Sequence, residues 1–340
     1  MIVKYYAVNN KFKHSFTISK GTKTHQPALI VSLEHMGYIG YGEAPAIAYY
    51  QIPVEKMVAD IETKKQFIEK FALTDPERYW HYLHHLLPGN PFLVCALDMA
   101  CWDLFGKMKR RKCFELWGSD VTLMPLTDYT IGIDTIEKMV EKMAELPWPI
   151  YKIKLGTKED VEIITELRKH TDAIFRIDAN AAWEVDEALE KINAFKDLKV
   201  ELIEQPLAKE NWEGMKYLFD KSPIPLFADE SCVSEHDVEK CQNYFHGINI
   251  KLTKCSGITP ARRMVTKAHE LGMKVMLGTM NETSIGSAAI AQLSPTVDFL
   301  DMDGPLLLEE DVASSIMFNY GKISFSEAYG LGITSVNLPI

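Results

Sequence analysis

The sequence predicts an α/β protein, a closed barrel or a doubly wound sheet, built from repeating strand–helix units. Three observations carry this. Short apolar runs that end in a charged residue recur: YKIKLG at 151–156, FRIDAN at 175–180, ELIEQP at 201–206, PLFADES at 225–231 and INIKL at 248–252. The steps from Lys152 to Asp178, Glu204, Asp229 and Lys251 are 26, 26, 25 and 22 residues, about what one strand, one helix and two short connections require. Between the runs lie segments with apolar residues at helical spacing, such as DVEIITELRKH and EVDEALEKINAF. In a barrel, the charged residues would gather at the C-terminal ends of neighbouring parallel strands, where active sites sit.

In chain order, residues 1–45 read as a small antiparallel sheet, with Gly37 in a turn and the polar stretch HSFTISKGTKTHQ at 14–26 as a loop over a site or on the surface. IAYYQI, at the end of the stretch 46–52, suits a pocket wall or packing on the next helices. Residues 53–120 read as helical, starting at Pro53 and interrupted by PGNPF at 88–92. The small residues Ala96, Ala100 and Cys101 allow close helix contact, and Asp98 and Asp103 read as helix-face charges or as pins against the barrel.

A new unit starts near Leu123. PLTDYTIG is its first strand, with Thr127, Asp128 and Thr130 near the strand's end, and helix and strand then alternate without interruption. The count gives about seven parallel strands, with a short segment such as VDFLDMDG available as an eighth. The stretch GKISFSEAYGLGI near the C-terminus reads as extended chain with Gly-rich turns that return to the N-terminal unit. The expected division is 1–122 as an N-terminal unit, 123–310 as the barrel, and 311–340 as a returning segment.

Composition bounds the function. The chain has 340 residues, 47% apolar and 25% charged, an ordinary globular balance. A net charge of −10 without a basic block argues against a nucleic-acid partner. The six cysteines form no CxxC pair and read as small buried hydrophobes of a reducing compartment. The N-terminal residues show no signal-peptide core, and no apolar stretch approaches a membrane span, so a cytoplasmic protein with no membrane partner is expected.

Asp178, Glu204 and Asp229 close successive strands. Three carboxylates brought together repel one another and are desolvated, so a divalent ion is their natural counter-charge. All-oxygen ligation favours Mg²⁺ or Mn²⁺ over zinc. Lys152 and Lys154 are two apart on one strand and share a face, the barrel interior if Tyr151, Ile153 and Leu155 pack on helices. Mutual repulsion is expected to lower the pKa of at least one of these amines, giving a base near neutral pH. Lys251, three units onward on this reading, faces them across the mouth. Two amines on opposite sides of one carbon can remove and return a proton on opposite faces.

These motifs, KIKLG, RIDAN, IEQP, ADES, NIKLTKCSG and, near the N-terminus, GYGEAP, together resemble the enolase superfamily, muconate-lactonising subgroup. Within it the chain is similar to dipeptide epimerases, the L-Ala-D/L-Glu group, over essentially its whole length. The resemblance implies a modified (β/α)7β TIM-like barrel with an α+β N-terminal capping domain made by both chain ends. It implies that Asp178, Glu204 and Asp229 bind one Mg²⁺ per subunit. Lys154 and Lys251 are then the general acid/base pair, and Lys152 holds the substrate carboxylate. Asp301 and Asp303 in LDMDG are implied to pair with the substrate ammonium. The partner is a small dipeptide, homo-oligomers are common in the family, and the implied role is murein (peptidoglycan) peptide recycling or general dipeptide use. Thr130, Thr279, Met280, Asn281 and Glu282 are placed to line the pocket.

Two departures stand out. Cys255-Ser256-Gly257 replaces the Gly-Gly pair that usually follows the NIKL lysine. The 20s loop has no arginine for an acidic substrate side chain. Lys20 or Lys23 replaces it, or the second residue of the dipeptide is neutral or hydrophobic. Rival readings are an o-succinylbenzoate synthase or N-acylamino-acid racemase, whose substrates lack a free ammonium, and a non-catalytic metal-binding barrel protein.

Overall fold

The computed structural model describes residues 1–338. Its chain opens with β1 (Ile2–Ile18), β2 (Gly21–His35) and β3 (Tyr38–Pro45), joined in a three-stranded antiparallel sheet. The stretch 14–26 is therefore no loop. It is the far end of a long hairpin that turns at Ser19–Lys20, with Phe16 opposite Lys23 and Thr17 opposite Thr22 beyond an irregularity after Lys11. A largely exposed ribbon has few apolar residues to bury, so its sequence looks like loop although much of its backbone is paired.

Three helices follow: α1 (Val54–Lys70), α2 (Pro76–Leu86) and α3 (Pro91–Lys109), then the short α4 (Cys113–Leu116). Asp75 starts α2 by accepting from the backbone N–H groups of Glu77 and Arg78, which splits the helical run before PGNPF into two helices. Helix α3 is buried along most of its length. Its small residues do permit close contact: a Cβ on Gly42 would overlap the Ala96 carbonyl, and one on Gly40 the Ala100 carbonyl.

The barrel follows as β4 (Tyr129–Ile131), α5 (Ile136–Glu145), β5 (Ile150–Lys154), α6 (Asp160–Arg168), β6 (Ile174–Asp178), α7 (Val185–Phe195) and β7 (Val200–Glu204). It continues through α8 (Trp212–Lys221), β8 (Leu226–Ala228), α9 (Glu235–Cys241), β9 (Gly247–Lys251), α10 (Leu252–Cys255), α11 (Ile258–Glu270), β10 (Lys274–Gly278), α12 (Ser284–Leu293) and β11 (Phe299–Leu300). The eight strands β4 to β11 pair in parallel in sequential order, and a bridge between Thr127 and Leu300 draws the two edges together. This is a modified TIM-like barrel beside an α+β cap. The eighth strand is only two residues long. Strand β9 lies four places beyond β5, not three.

Side chains alternate as the pleat requires. Tyr151 and Ile153 face the helices, within a large apolar cluster, while Lys152 and Lys154 point inward. The barrel floor is closed by Leu202, Phe227 and Met276 with Phe299 against them. Beside them Arg176 is buried, donating to Asp128 (2.9 Å) and to the Leu300 carbonyl (2.8 Å). All six cysteines are free and buried. Among the described residues no helix is long and apolar enough to cross a membrane.

Buried acids tie the cap to the barrel. Glu43 on β3 accepts from the N–H groups of Thr283 (3.0 Å) and Gly286 (3.0 Å) at the start of α12. Asp98 on α3 accepts from the Thr259 N–H (2.9 Å) and hydroxyl (2.8 Å) at the start of α11. Asp103 accepts from Tyr41 and Leu331 N–H groups, 2.9 Å each, so the returning C-terminal segment meets α3 and β3 at one carboxylate. Helix N-termini leave N–H groups unpaired, and the carboxyl oxygens of Glu43 and Asp98 accept from them. Asp98 thus acts as a pin against the barrel, whereas Asp103 joins the cap to the returning C-terminal segment.

Candidate active site

The C-terminal ends of the barrel strands bring most of the expected residues together. Lys154, Asp178, Glu204 and Lys251 are the last residues of β5, β6, β7 and β9, and Asp229, Thr279 and Asp301 come directly after β8, β10 and β11. Asp178, Glu204 and Asp229 are buried and offer oxygens that all lie within 4.8 Å of one another. That donor set, all carboxylate, suits a hard divalent cation. Beyond burial, Asp178 also raises the neighbouring Glu204 carboxyl, a repulsion that a bound divalent cation would offset.

The amines are held by these acids. Lys154 Nζ is 2.5 Å from Asp178 Oδ2, and Lys251 Nζ is 2.7 Å from Asp229 Oδ2. Lys152 Nζ lies 2.6 Å from Asp301, 2.7 Å from Glu204 and 3.4 Å from Asp178. Burial works to lower Lys152, but Asp301, Glu204 and Asp178 outweigh it and hold the amine above its ordinary range. Burial is likewise outweighed at Lys251, by Asp229 and Glu204. The lowering expected from repulsion between Lys152 and Lys154 is thus not met at Lys152, because three carboxylates lie within 3.4 Å of its amine. Burial, then Asp178, pushes the Glu204 carboxyl up to about 7. Burial also acts to raise Asp178, yet Lys154 and Lys152 hold it down at about 2.

Above these groups lies a pocket lined by Lys154, Lys251, Asp229, Asp301, Thr130, Thr279, Met280 and Asn281 on the barrel side. The cap supplies Phe16, Ile18, Lys20, Lys23, Ile47, Tyr49 and Tyr50. The hairpin and the 46–52 stretch are therefore both pocket walls. Lys152 and Asp303 do not line the pocket; they lie beneath it, Asp303 accepting from the Thr130 N–H (2.6 Å). Burial, then Asp301, pushes the Asp303 carboxyl up to about 7. Asp301 has one oxygen, Oδ1, that is buried without a hydrogen-bond partner.

The two hairpin lysines differ. Lys20 is 3.4 Å from Glu230 and sits 4.4 Å over the Tyr49 ring. Lys23 is half-buried and donates to the Gln26 side chain (3.3 Å), and no carboxylate among the described residues pairs with it. Burial lowers its pKa.

Asn249, Gln205 and Lys254 support the site without having been singled out in the sequence, and Glu282, expected to line the pocket, does not line it. Asn249 donates to Glu204 Oε1 (2.7 Å), and Gln205 Oε1 accepts from the Asp229 N–H (3.0 Å). Glu282 is buried beneath the pocket turn and accepts from the Thr279 hydroxyl and the Met280 N–H. Lys254 reaches Asp229 from below. Ser256 has φ 71°, in the left-handed region that is costly for a residue with a Cβ. Its carbonyl and hydroxyl oxygens accept from the Trp80 indole.

Comparison with known proteins agrees with this geometry. Residues 134–336 match the family profile described as Enolase C-terminal domain-like. The L-Ala-D/L-amino acid epimerase of Flavobacterium johnsoniae is 49% identical over 98% of this chain and 99% of that protein. The L-Ala-D/L-Glu epimerase of Bacteroides thetaiotaomicron is 36% identical, over 99% of this chain and 88% of its own. A substrate-liganded structure of the L-Ala-D/L-Glu epimerase from Bacillus subtilis superposes with a TM-score of 0.94 at 28% identity, covering 99% of both chains.

Proposed function

The chain belongs to the enolase superfamily, in its dipeptide-epimerase subgroup, and from that premise we propose that it inverts the α-carbon of the C-terminal residue of L-Ala-Xaa dipeptides with Mg²⁺. The observation that carries the reading is the placement of Lys154 and Lys251. Four strands apart in an eight-stranded cylinder is half a turn, so the two amines face one another across the mouth. One takes the α-proton and the other returns a proton to the opposite face.

Asp178, Glu204 and Asp229 are the residues that would hold the ion. Bound there, Mg²⁺ supplies positive charge against which negative charge on the substrate carboxylate builds. Lys152, under the floor between Glu204 and Asp301, adds cationic charge from the other side. Asp301, with Asp303 behind it, pairs with the free amino terminus. That carboxylate pair favours a dipeptide over an N-acylated or succinylated substrate, which brings no ammonium to balance it. Thr130, Thr279, Met280 and Lys20 shape the walls.

The side-chain subsite is mixed. Phe16, Ile18, Ile47, Tyr49, Tyr50 and Met280 give it apolar surface, and Lys23 gives it one amine that pairs with no carboxylate among the described residues. We infer a tolerant preference that includes acidic and apolar second residues, in keeping with the L-Ala-D/L-amino acid epimerase of F. johnsoniae. The test is a library of L-Ala-Xaa dipeptides incubated with protein and MgCl₂ in deuterated water and read by mass spectrometry. Deuterium gained at the C-terminal residue supports the reading, and no gain on any dipeptide sinks it.

A further inference from the structure

Lys254 is a buried amine that the mechanism does not use. It sits on the single turn α10, three residues after Lys251, and is 5% exposed. Its ammonium donates to Asp229 Oδ1, to the Asp229 carbonyl (2.7 Å) and to the Asn249 carbonyl (3.1 Å). An ammonium has three N–H donors, so it is fully engaged. Lys251 holds the other oxygen of the same carboxylate, Oδ2, at 2.7 Å. Asp229 thus stands between two amines that differ in one respect: Lys251 lines the pocket and Lys254 does not.

We propose that Lys254 is a positioning residue, a fixed counter-charge that keeps Asp229 oriented for the divalent cation and leaves Lys251 free to turn to the substrate. Removing one partner of a buried ion pair leaves the other charge uncompensated, which is strongly unfavourable. If Lys251 were the only side chain orienting Asp229, each swing toward the α-carbon would let that carboxylate move out of place beside the ion. Lys254 removes the conflict by holding the other oxygen and the backbone of the same residue. Asn249 is its companion: the carbonyl fixes Lys254 while the side-chain amide fixes Glu204 (2.7 Å). The segment after β8 and the segment after β9 are thereby locked to each other underneath the site. This inference rests on Asp178, Glu204 and Asp229 being the ion's ligands.

The experiment uses the full chain with MgCl₂ as the probe. Mg²⁺ affinity is measured calorimetrically for the wild type, Lys254→Met and Lys251→Met, and unfolding temperatures are recorded without metal. Groups that orient metal ligands typically contribute about 10- to 100-fold in affinity, so Lys254→Met should weaken Mg²⁺ binding by that factor and Lys251→Met by clearly less. Without metal, Lys254→Met should unfold at lower temperature, and Asp229→Asn combined with Lys254→Met should recover much of the loss. Wild-type Mg²⁺ affinity in Lys254→Met overturns the proposal, and so does a double variant no more stable than the single one. Should Lys254→Met not fold, a folded double variant supports the proposal and an equally unfolded one overturns it. A wild-type chain that binds no Mg²⁺ sinks the metal reading instead, while the metal-free stability comparison still decides whether Lys254 serves Asp229.

Discussion

If Lys154 and Lys251 address opposite faces of one carbon, removing either should abolish exchange from one side only. The informative variants are Lys154→Met and Lys251→Met, which delete the amine and keep the bulk of the chain. The structure argues that both remain folded. Without Lys154, Asp178 still has Lys152 at 3.4 Å, and without Lys251, Asp229 still has Lys254. General acid–base catalysis by a positioned group contributes roughly 10²- to 10⁴-fold, or about 3–5 kcal/mol of barrier. Epimerisation, which needs both amines, should fall by that factor in each variant. Exchange of the α-proton with deuterium should survive for one diastereomer in each variant, and the surviving diastereomers should be opposite. The assay follows the α-proton by NMR in deuterated water, starting separately from L-Ala-L-Xaa and L-Ala-D-Xaa. Loss of exchange with the same diastereomer in both variants would refute two-sided proton transfer, as would epimerisation at full rate in either.

Three further outcomes follow from the surroundings of single residues. Burial, partly offset by Thr259, pushes the Asp98 carboxyl up to about 7; it holds its proton more tightly folded than unfolded, so its contribution is full below about pH 4 and is lost as pH rises to about 7, on the order of 4 kcal/mol at most. Unfolding temperature followed by calorimetry should therefore depend less on pH between 4 and 7 in Asp98→Asn than in the wild type, and an unchanged slope would count against a buried neutral Asp98. Ser256→Gly should relieve a left-handed residue, gaining about 1 kcal/mol and about 1–2 °C in Tm; a lower Tm would mean that the hydroxyl bond to Trp80 outweighs the strain. Lys23→Met should lower kcat/KM about 10-fold for L-Ala-Glu and leave L-Ala-Leu nearly unchanged, as expected for a single surface-adjacent charge contact; equal losses on both substrates would assign Lys23 to packing.

The barrel was legible because each strand is a short apolar run stopped by a charge, and the spacing of the stops is nearly constant. The same runs carry Asp178, Glu204, Asp229, Lys154 and Lys251, so the strand pattern and the candidate site were read from one signal. The hairpin end at 14–26 was not legible, since a ribbon that buries little on either face has the polarity of a loop. Lys254 and Asn249 lie in a recognised motif, but nothing in their spacing says that they point down at carboxylates rather than up at a ligand. Glu43 and Asp98 were harder still. Their partners lie 240 and 161 residues away in the chain, and only tertiary structure makes an acid in a strand the cap of a distant helix. The lowering expected at the lysine pair was inferred from amines alone, and at Lys152 the nearest charges are acids.

Those distant caps bear on how this protein can be re-engineered. The N-terminus of α11 is met by Asp98 of α3, and that of α12 by Glu43 of β3 together with Thr283 and Asp311, so the barrel relies on the cap for part of what terminates two of its helices. A transplant that put another lid on this barrel would succeed only if the donor brought acids to the places of Glu43 and Asp98, and a barrel expressed bare would leave those amides facing water. Swapping specificity by exchanging the hairpin tip at Ser19–Lys20 touches neither acid, so short grafts there are the safer route to new substrates.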